Sequence, residues 1–470
     1  MTLDTLILTP SVTPRTKGAS PYLLIPFEVP EGVTRFDLAV DYPRHDGACV
    51  IDLGLGNPDL GPFPSHGGLV GWSGGARSRV FVGQDAATPG YRPGMMPGSW
   101  TIILGLYKLP KEPVEVRLEI TFDTTPRRPA EVRPAPRPVR PAPGWYKGDL
   151  QSHTFHSDAK GAPEHLHANA QREGLDFLAV TDHNTTTAHA TYFDAASSPG
   201  LVFVPAYEFT TAQGHGNVYG AREVADFRCE TGADVLAMVA RLREAGHLFS
   251  INHDKPDHPW LWPLPEADCQ EVWQAPWLAG NHISLGRWQA RLAEGRRLVA
   301  IGGSDFHQPG AEPEGNRATL ARPCTHLWCE ELSVQGILDA MRAGRSFVTE
   351  APDGPRLVLR AGEMIQGATV PAIDEVEVDI EGAAGETLEL WDATGCIASA
   401  PIRSDAETIA RRVAPHRFVR AQVMATATRA ERIAEARALL GTGPRPDHAD
   451  ALDKPLVRVL TSPIWIGAAT

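Results

Sequence analysis

Between Trp145 and Glu350 the chain concentrates imidazole: 13 of its 17 histidines fall in this stretch of a 470-residue sequence. Five short apolar runs there each end in residues that could bind a metal. The first is followed by Gln151, His153 and Asp158, the second by Asp182 and His183, the third by Glu208, the fourth by His253, and the fifth by Asp305 and His307. Imidazole suits zinc, iron or manganese, and a carboxylate can bridge two cations and offset their repulsion. Such cations bring the pKa of a bound water toward neutrality, so hydroxide can attack and no side-chain nucleophile is needed. Any one of these residues alone is more often a core or surface side chain; five run ends of the same polarity make a metal site the expectation.

Around this set lie softer signals. His165, His167 and His189 fall on expected helices and read as solvated, whereas His156, inside the first motif, stays open between ligand and bystander. The segment from Gln213 to Asn217 reads equally as a β-turn or as a substrate-orienting loop, with His215 its catalytic candidate. Lys255, two residues beyond His253, is a candidate phosphate clamp or a solvated lysine, and Asp182 a candidate proton handler. Trp260, Trp262, Trp273, Trp277 and Trp288 read as packing or as the wall of an apolar substrate pocket.

The elements that must position these residues alternate. Apolar runs at 176–181, 201–204, 247–252, 270–273 and 298–302 are mostly separated by helical stretches at 163–173, 234–245 and 285–294, which close at Gly174, Gly246 and Gly295. Repeated strand–helix units imply a parallel sheet or barrel, whose C-terminal strand ends share one face. Before it, residues 1–125 carry short β-rich runs between Gly and Pro turns, the pattern of a β-sandwich. Residues 126–144, with seven prolines and five arginines, read as an extended linker. The expected metallohydrolase domain spans 145–352. A β-rich domain over 353–470 follows, with one helical insertion bearing Ile433, Ala436 and Leu440 on one face.

Composition narrows the classes. A net charge of −13 argues against nucleic acid and anionic membranes as partners. No apolar run reaches the roughly 18 residues of a spanning helix, and Met1 to Thr5 lack a signal-peptide plan, so a cytoplasmic protein is expected. The six cysteines follow no disulfide or zinc spacing and read as buried free thiols. Oligomeric state is not encoded legibly.

The segments Gly148 to Asp158, Ala179 to Asn184, Pro205 to Glu208, Asn252–His253 and Gly303 to His307 together resemble the PHP (polymerase and histidinol phosphatase) superfamily of metallohydrolases. Glu271 to Trp273, Gly344 to Val348 and the trailing β-rich region are similar to its CehA/McbA-type branch. The resemblance implies a distorted (β/α)7 barrel with two or three divalent ions (Zn, Mn or Fe). It would give one metal to His153, Glu208 and Asp305, a second to Glu208 and His253, and a third to Asp158, His183 and His307. Where the family opens on His-x-His this chain has Gln151, a weaker amide ligand. The last ligand of the second metal is unassigned among Glu271, Gln274, Asn281 and His282.

The expected activity is hydrolysis of a small-molecule ester by a metal-bridging hydroxide. Three divalent cations and a hydroxide against Asp158, Asp182, Glu208 and Asp305 leave about +1, which favours a phosphoester; two cations leave about −1, which suits a carboxylester or carbamate. The phosphoesterase is the first reading and the carboxylester or carbamate hydrolase the alternative. A non-catalytic metal-binding scaffold, with β-domains that bind glycans or proteins, is the third.

Overall fold

The computed structural model describes residues 5–129, 140–194, 200–307, 320–426, 430–431, 434 and 456–467. Most of the Pro/Arg-rich stretch, and Ile433, Ala436 and Leu440 of the expected C-terminal helix, lie outside the described residues. The chain is mostly β, arranged in several sheets with few helices.

In the N-terminal region two four-stranded antiparallel sheets share one apolar core. One runs in the order Leu6–Leu8, Arg117–Asp123, Arg35–Asp41, Arg79–Gly83, the other Tyr22–Val29, Gly98–Lys108, Val50–Gly56, Leu69–Trp72. Alternation decides which side chains enter: along Arg35–Asp41, Phe36, Leu38 and Val40 are buried, and Leu118, Ile120 and Phe122 do the same on the neighbouring strand.

The region that carries the histidines begins with β1 (Gly144–Asp149), α1 (Pro163–Arg172), β2 (Phe177–Val180), α2 (His189–Asp194) and β3 (Val202–Thr211). It continues through β4 (Gly214–Tyr219), α3 (Gly232–Glu244), β5 (Leu248–Ile251), β6 (Cys269–Gln274), α4 (Asn281–Ala293) and β7 (Val299–Gly303). It ends with β8 (Cys324–Cys329), α5 (Val334–Arg342) and β9 (Ser346–Thr349). The glycines expected to stop helices do so, with Gly174, Gly246 and Gly295 at φ of +63°, +87° and +98°. Helix α3 starts on a capping box in which Thr231 and Asp234 satisfy one another's backbone N–H groups.

The sheet order is β7-β6-β5-β4-β3-β2-β1-β8-β9, continued by the strands at 457–461, 418–424, 387–392 and 395–401. Pairings β1/β2, β2/β3, β5/β6 and β6/β7 are parallel, but β4 runs antiparallel to both of its neighbours. The regular (β/α)7 repeat is thus not what is seen. A tight hairpin joins β3 to β4, and residues 252–268 link β5 to β6 without a helix. Gly216 is part of the reason: a Cβ there would meet the Phe249 ring at 2.4 Å, so only glycine lets β4 lie against β5.

Beyond the ends of β1 and β7 the chain segments meet. Ser152 bridges Phe306 in parallel, Asp305 N donates to Gln151 O at 2.8 Å, and His153 N donates to Phe306 O at 3.0 Å. Asp149 fastens the same junction, accepting from Gln151 N, Ser304 N and Ala321 N at 3.0, 3.0 and 2.6 Å. Gly303 permits the approach, since a Cβ there would lie 2.2 Å from Gln151 Cβ. First and fifth motifs, over 150 positions apart in sequence, therefore stand side by side.

Candidate metal centre

His153, His183, His253, Asp305 and His307 follow the C-terminal ends of strands, Asp158 lies on the turn beyond β1, and Glu208 and His215 sit on the β3–β4 hairpin. Glu208, on β3, is fully buried and central. Its Oε1 lies 3.3 Å from His215 Nδ1 and 3.5 Å from His253 Nε2, and those two nitrogens are 3.1 Å apart. Ligands about 2.0–2.1 Å from a tetrahedral cation are about 3.4 Å from one another, so this triad already has the edge lengths of a coordination shell. Glu208 Oε2 lies 2.9 Å from His183 Nδ1 and 3.5 Å from His153 Nε2.

On the other side of His183, its Nε2 is 3.5 Å from Asp158 Oδ1, which is 3.2 Å from His307 Nε2. The His153 and His307 rings stack with centroids 4.2 Å apart. Candidate ligand atoms of His153, Asp158, His183 and His307 all fall within 4.8 Å of one another, as do those of His183, Glu208 and His215. Glu208 Oε2 and His153 Nδ1 are buried without a hydrogen-bond partner. Bare buried acceptors are costly, and a cation among these donors would satisfy the carboxylate oxygen. The residues therefore fit divalent metal ions.

Electrostatics agree. Burial opposes charge on Glu208, yet His183 and His215 hold its carboxyl well below the usual range. Burial likewise disfavours protonation of His183, but Asp158 and Glu208 more than offset it and raise the imidazole to about 9. His307, facing Asp305 and Asp158, rises to about 10 against the same penalty. His253 goes the other way: burial pushes it down to about 3, leaving a neutral ring. Backbone strain gathers here too, with Asn184, His253 and Asp305 at φ of +48°, +26° and +52°.

Behind these groups stands a supporting layer. Glu271 Oε2 lies 2.9 Å from His253 Nδ1 and accepts from His253 N at 3.0 Å, the carboxylate–histidine arrangement that orients a metal-bound ring. Burial, with Asp305 and Glu208 nearby, pushes the Glu271 carboxyl well above its ordinary value. Asp182, the candidate proton handler, has both carboxylate oxygens engaged by neighbouring donors. Its oxygens accept from Thr154 N, Thr154 Oγ1 and Ser157 Oγ at 2.8, 2.7 and 2.6 Å, which shapes the turn leading to Asp158.

That turn is also held from the N-terminal region. Arg77 donates from Nη1 to Ser157 O at 2.9 Å and from Nη2 to Phe155 O. Gly90 makes this docking close, because a Cβ there would lie 2.5 Å from His156 O.

Several expectations change. Lys255 is not solvated: it is buried, and its Nζ donates to Gln274 Oε1 at 2.5 Å. Residues 214–219 form a strand, with Asn217 opposite Glu208 and His215 opposite Thr210, so His215 stands among the ligand candidates. His156 turns away, its Nδ1 2.8 Å from Thr187 Oγ1. His189 is buried against β3, its Nε2 2.8 Å from Ala206 O, because α2 packs on the sheet. The five tryptophans at 260–288 all belong to one buried apolar cluster. Asn281 bonds the backbone of Gln274, Pro276 and Trp277. Sequence offered one signal for Glu271, a lone carboxylate inside an apolar run; for Arg77, in a Gly/Ser-rich turn far upstream, it offered none.

No protein-family model matches the chain, and no curated protein matches it. Solved structures do. A two-domain protein from Bacteroides vulgatus, containing a predicted PHP-like metal-dependent phosphoesterase, aligns at 17% identity and a TM-score of 0.39, over 63% of this chain and 95% of that one. PsfC from Pseudomonas syringae aligns at 18% identity and a TM-score of 0.28, over 39% and 82%. An amidohydrolase from Chromobacterium violaceum aligns at 16% identity and a TM-score of 0.26, over 34% and 88%.

Proposed function

We propose that this chain is a divalent-metal-dependent hydrolase of the PHP type, with phosphoesters as the substrate class. The observation that carries the reading is the triad of Glu208 Oε1, His215 Nδ1 and His253 Nε2, spaced 3.1–3.5 Å apart beside the cluster of His153, Asp158, His183 and His307. Divalent cations, when bound, supply positive charge for the reacting group and lower the pKa of water near it.

Everything else falls to the chain's own residues. His215, His253 and Glu208 would hold one cation, and Asp158, His183 and His307 another, with His153 beside both. Glu271 fixes the ring of His253, while Asp182 and Arg77 fix the turn that presents Asp158. Lys255 sets a fixed positive charge on the Asp305 side through Gln274. Buried cysteines take no part, and the exposed Cys396 lies on a strand of the C-terminal region.

Carboxylester or carbamate hydrolysis is the second reading, favoured by the amide hydrogen bonds around Asp305, which leave less room for positive charge. The test is metal-depleted protein reloaded with Mn²⁺ or Zn²⁺ and assayed on nitrophenyl phosphomonoester, phosphodiester and carboxylester. Metal-dependent turnover of a phosphoester supports the first reading, and turnover of the carboxylester alone the second. No metal-dependent turnover of any of them leaves the non-catalytic scaffold.

A further inference from the structure

We infer that Gln151 is a hydrogen-bond donor to the centre and not a ligand, so that the centre holds two cations and not three. This rests on the metal-hydrolase reading above. Amide oxygen and nitrogen are told apart by their neighbours, and the neighbours of Gln151 are unambiguous.

Leu150 O can only accept. Asn217 Nδ2 donates to it at 3.2 Å, beside Tyr219 Oη at 3.0 Å, which fixes the Asn217 amide with its nitrogen on this side. That same nitrogen donates to Gln151 Oε1. Asn252 Nδ2 donates at 3.2 Å both to Glu208 Oε1, an ionised carboxylate that can only accept, and to Gln151 Oε1. Two donors, each fixed by an oxygen with no proton of its own, converge on one atom of Gln151. That atom must be the oxygen, and the single proton of Thr181 Oγ1 is shared between it at 3.3 Å and Ser152 O at 3.2 Å.

The Gln151 nitrogen consequently points into the centre, 3.1 Å from His153 Nε2 and 3.5 Å from Asp305 Oδ1. An N–H group repels a cation. Turning the amide over would set its NH₂ against two others in a fully buried site, and Gly303 packs too closely for the side chain to move aside. Asp305 is held equally firmly. Its Oδ1 is 2.9 Å from His153 Nε2, and its Oδ2 accepts from Gln274 Nε2 at 2.6 Å, with Lys255 behind that amide. The position that the family resemblance gives to His153, Glu208 and Asp305 is thus lined by the Gln151 N–H group, which donates to Asp305 Oδ1 when His153 Nε2 carries its proton toward that oxygen, and to His153 Nε2 when that nitrogen is bare.

Metal-depleted full-length protein should be titrated with Mn²⁺ by calorimetry, with elemental analysis after dialysis, as wild type and as Gln151→Met, which keeps the volume and removes the amide. The expected result is two equivalents in both proteins. Three equivalents in wild type, or fewer than two in a Gln151→Met protein that still unfolds cooperatively, overturns the assignment. A wild type that binds no divalent cation overturns the metal-hydrolase reading itself, which is a separate result.

Discussion

Glu208, fully buried on β3, and Asp305, part-buried just past β7, are both carboxylates within reach of His153, and the groups around them differ. Glu208 keeps Oε2 without a hydrogen-bond partner, and its Oε1 shares a 3.1–3.5 Å triangle with two imidazoles. Glu208 has one amide donor, Asn252 on Oε1, whereas Asp305 has an amide nitrogen on each oxygen with a lysine behind one of them, besides the His153 imidazole 2.9 Å from Oδ1. Imidazole nitrogens exchange a proton for a cation; amide and ammonium groups cannot. Under the proposed reading, a carboxylate would take a cation in one place and stay an anchored anion in the other.

The sharpest way to break this contrast is Glu208→Gln. It removes the shared carboxylate, and metal-dependent hydrolysis should fall by at least about 1000-fold with loss of a cation, since even outer partners of metal ligands carry about 10- to 100-fold in affinity or activity. Asp305→Asn is the opposing arm. Both cations should stay bound with affinity within about tenfold of wild type, and loss of an equivalent by elemental analysis would make Asp305 a ligand after all. Glu271→Gln falls between them, with a drop of about 10- to 100-fold in the affinity of the His253 cation by calorimetry.

Titration behaviour divides the two halves as well. Without cations His183 and His307 are raised to about 9 and about 10, so at neutral pH a cation must displace their protons. Affinity at the Asp158 cluster should climb between pH 6 and 9, by up to about tenfold per unit for each proton released, and calorimetry in buffers of different ionisation heat counts those protons. Metal-free stability runs the other way: the contribution of these raised groups is complete below the unfolded value near 6.5 and is lost as pH rises through about 9 to 10. A melting temperature of metal-free protein that climbs over that range would contradict the pairing of His183 and His307 with the acids.

Much of the ligand-spaced half could be read from sequence, because strand ends and ligands coincide. His183 and His253 follow strands directly and Glu208 lies on β3, so strand polarity brings them to one face, while Asp158 arrives on the turn that Asp182 and Arg77 hold. The amide half could not be read this way. Whether Gln151 presents oxygen or nitrogen depends on Asn217 and Asn252, which come from antiparallel β4 and from the end of β5, and antiparallel β4 departs from the regular strand–helix repeat. His215 was hidden by the same hairpin, since a Gly-flanked histidine looks like a turn until its partner strand is known. Hydrophobic periodicity reports which residues are buried, not which face which across a sheet.

The smallest effect expected is at Arg77, and it asks whether the ligand-spaced half is self-sufficient. Asp158 sits on a turn with little regular structure, held inside by Asp182 and outside by two hydrogen bonds from one guanidinium. Lysine keeps the charge but cannot reach two carbonyls with a planar fork, so Arg77→Lys should lose one of the bonds. Hydrogen bonds to charged groups are worth about 1.5–3 kcal/mol, and only the part that reaches Asp158 appears at the metal. A loss of about three- to tenfold in affinity at the Asp158 cluster is expected, with the His215–His253 cation unchanged, and calorimetric titration separates the two. Equal weakening of both cations would mean that Arg77 acts on the whole fold. No change at either would mean that the turn holds its shape without the N-terminal region.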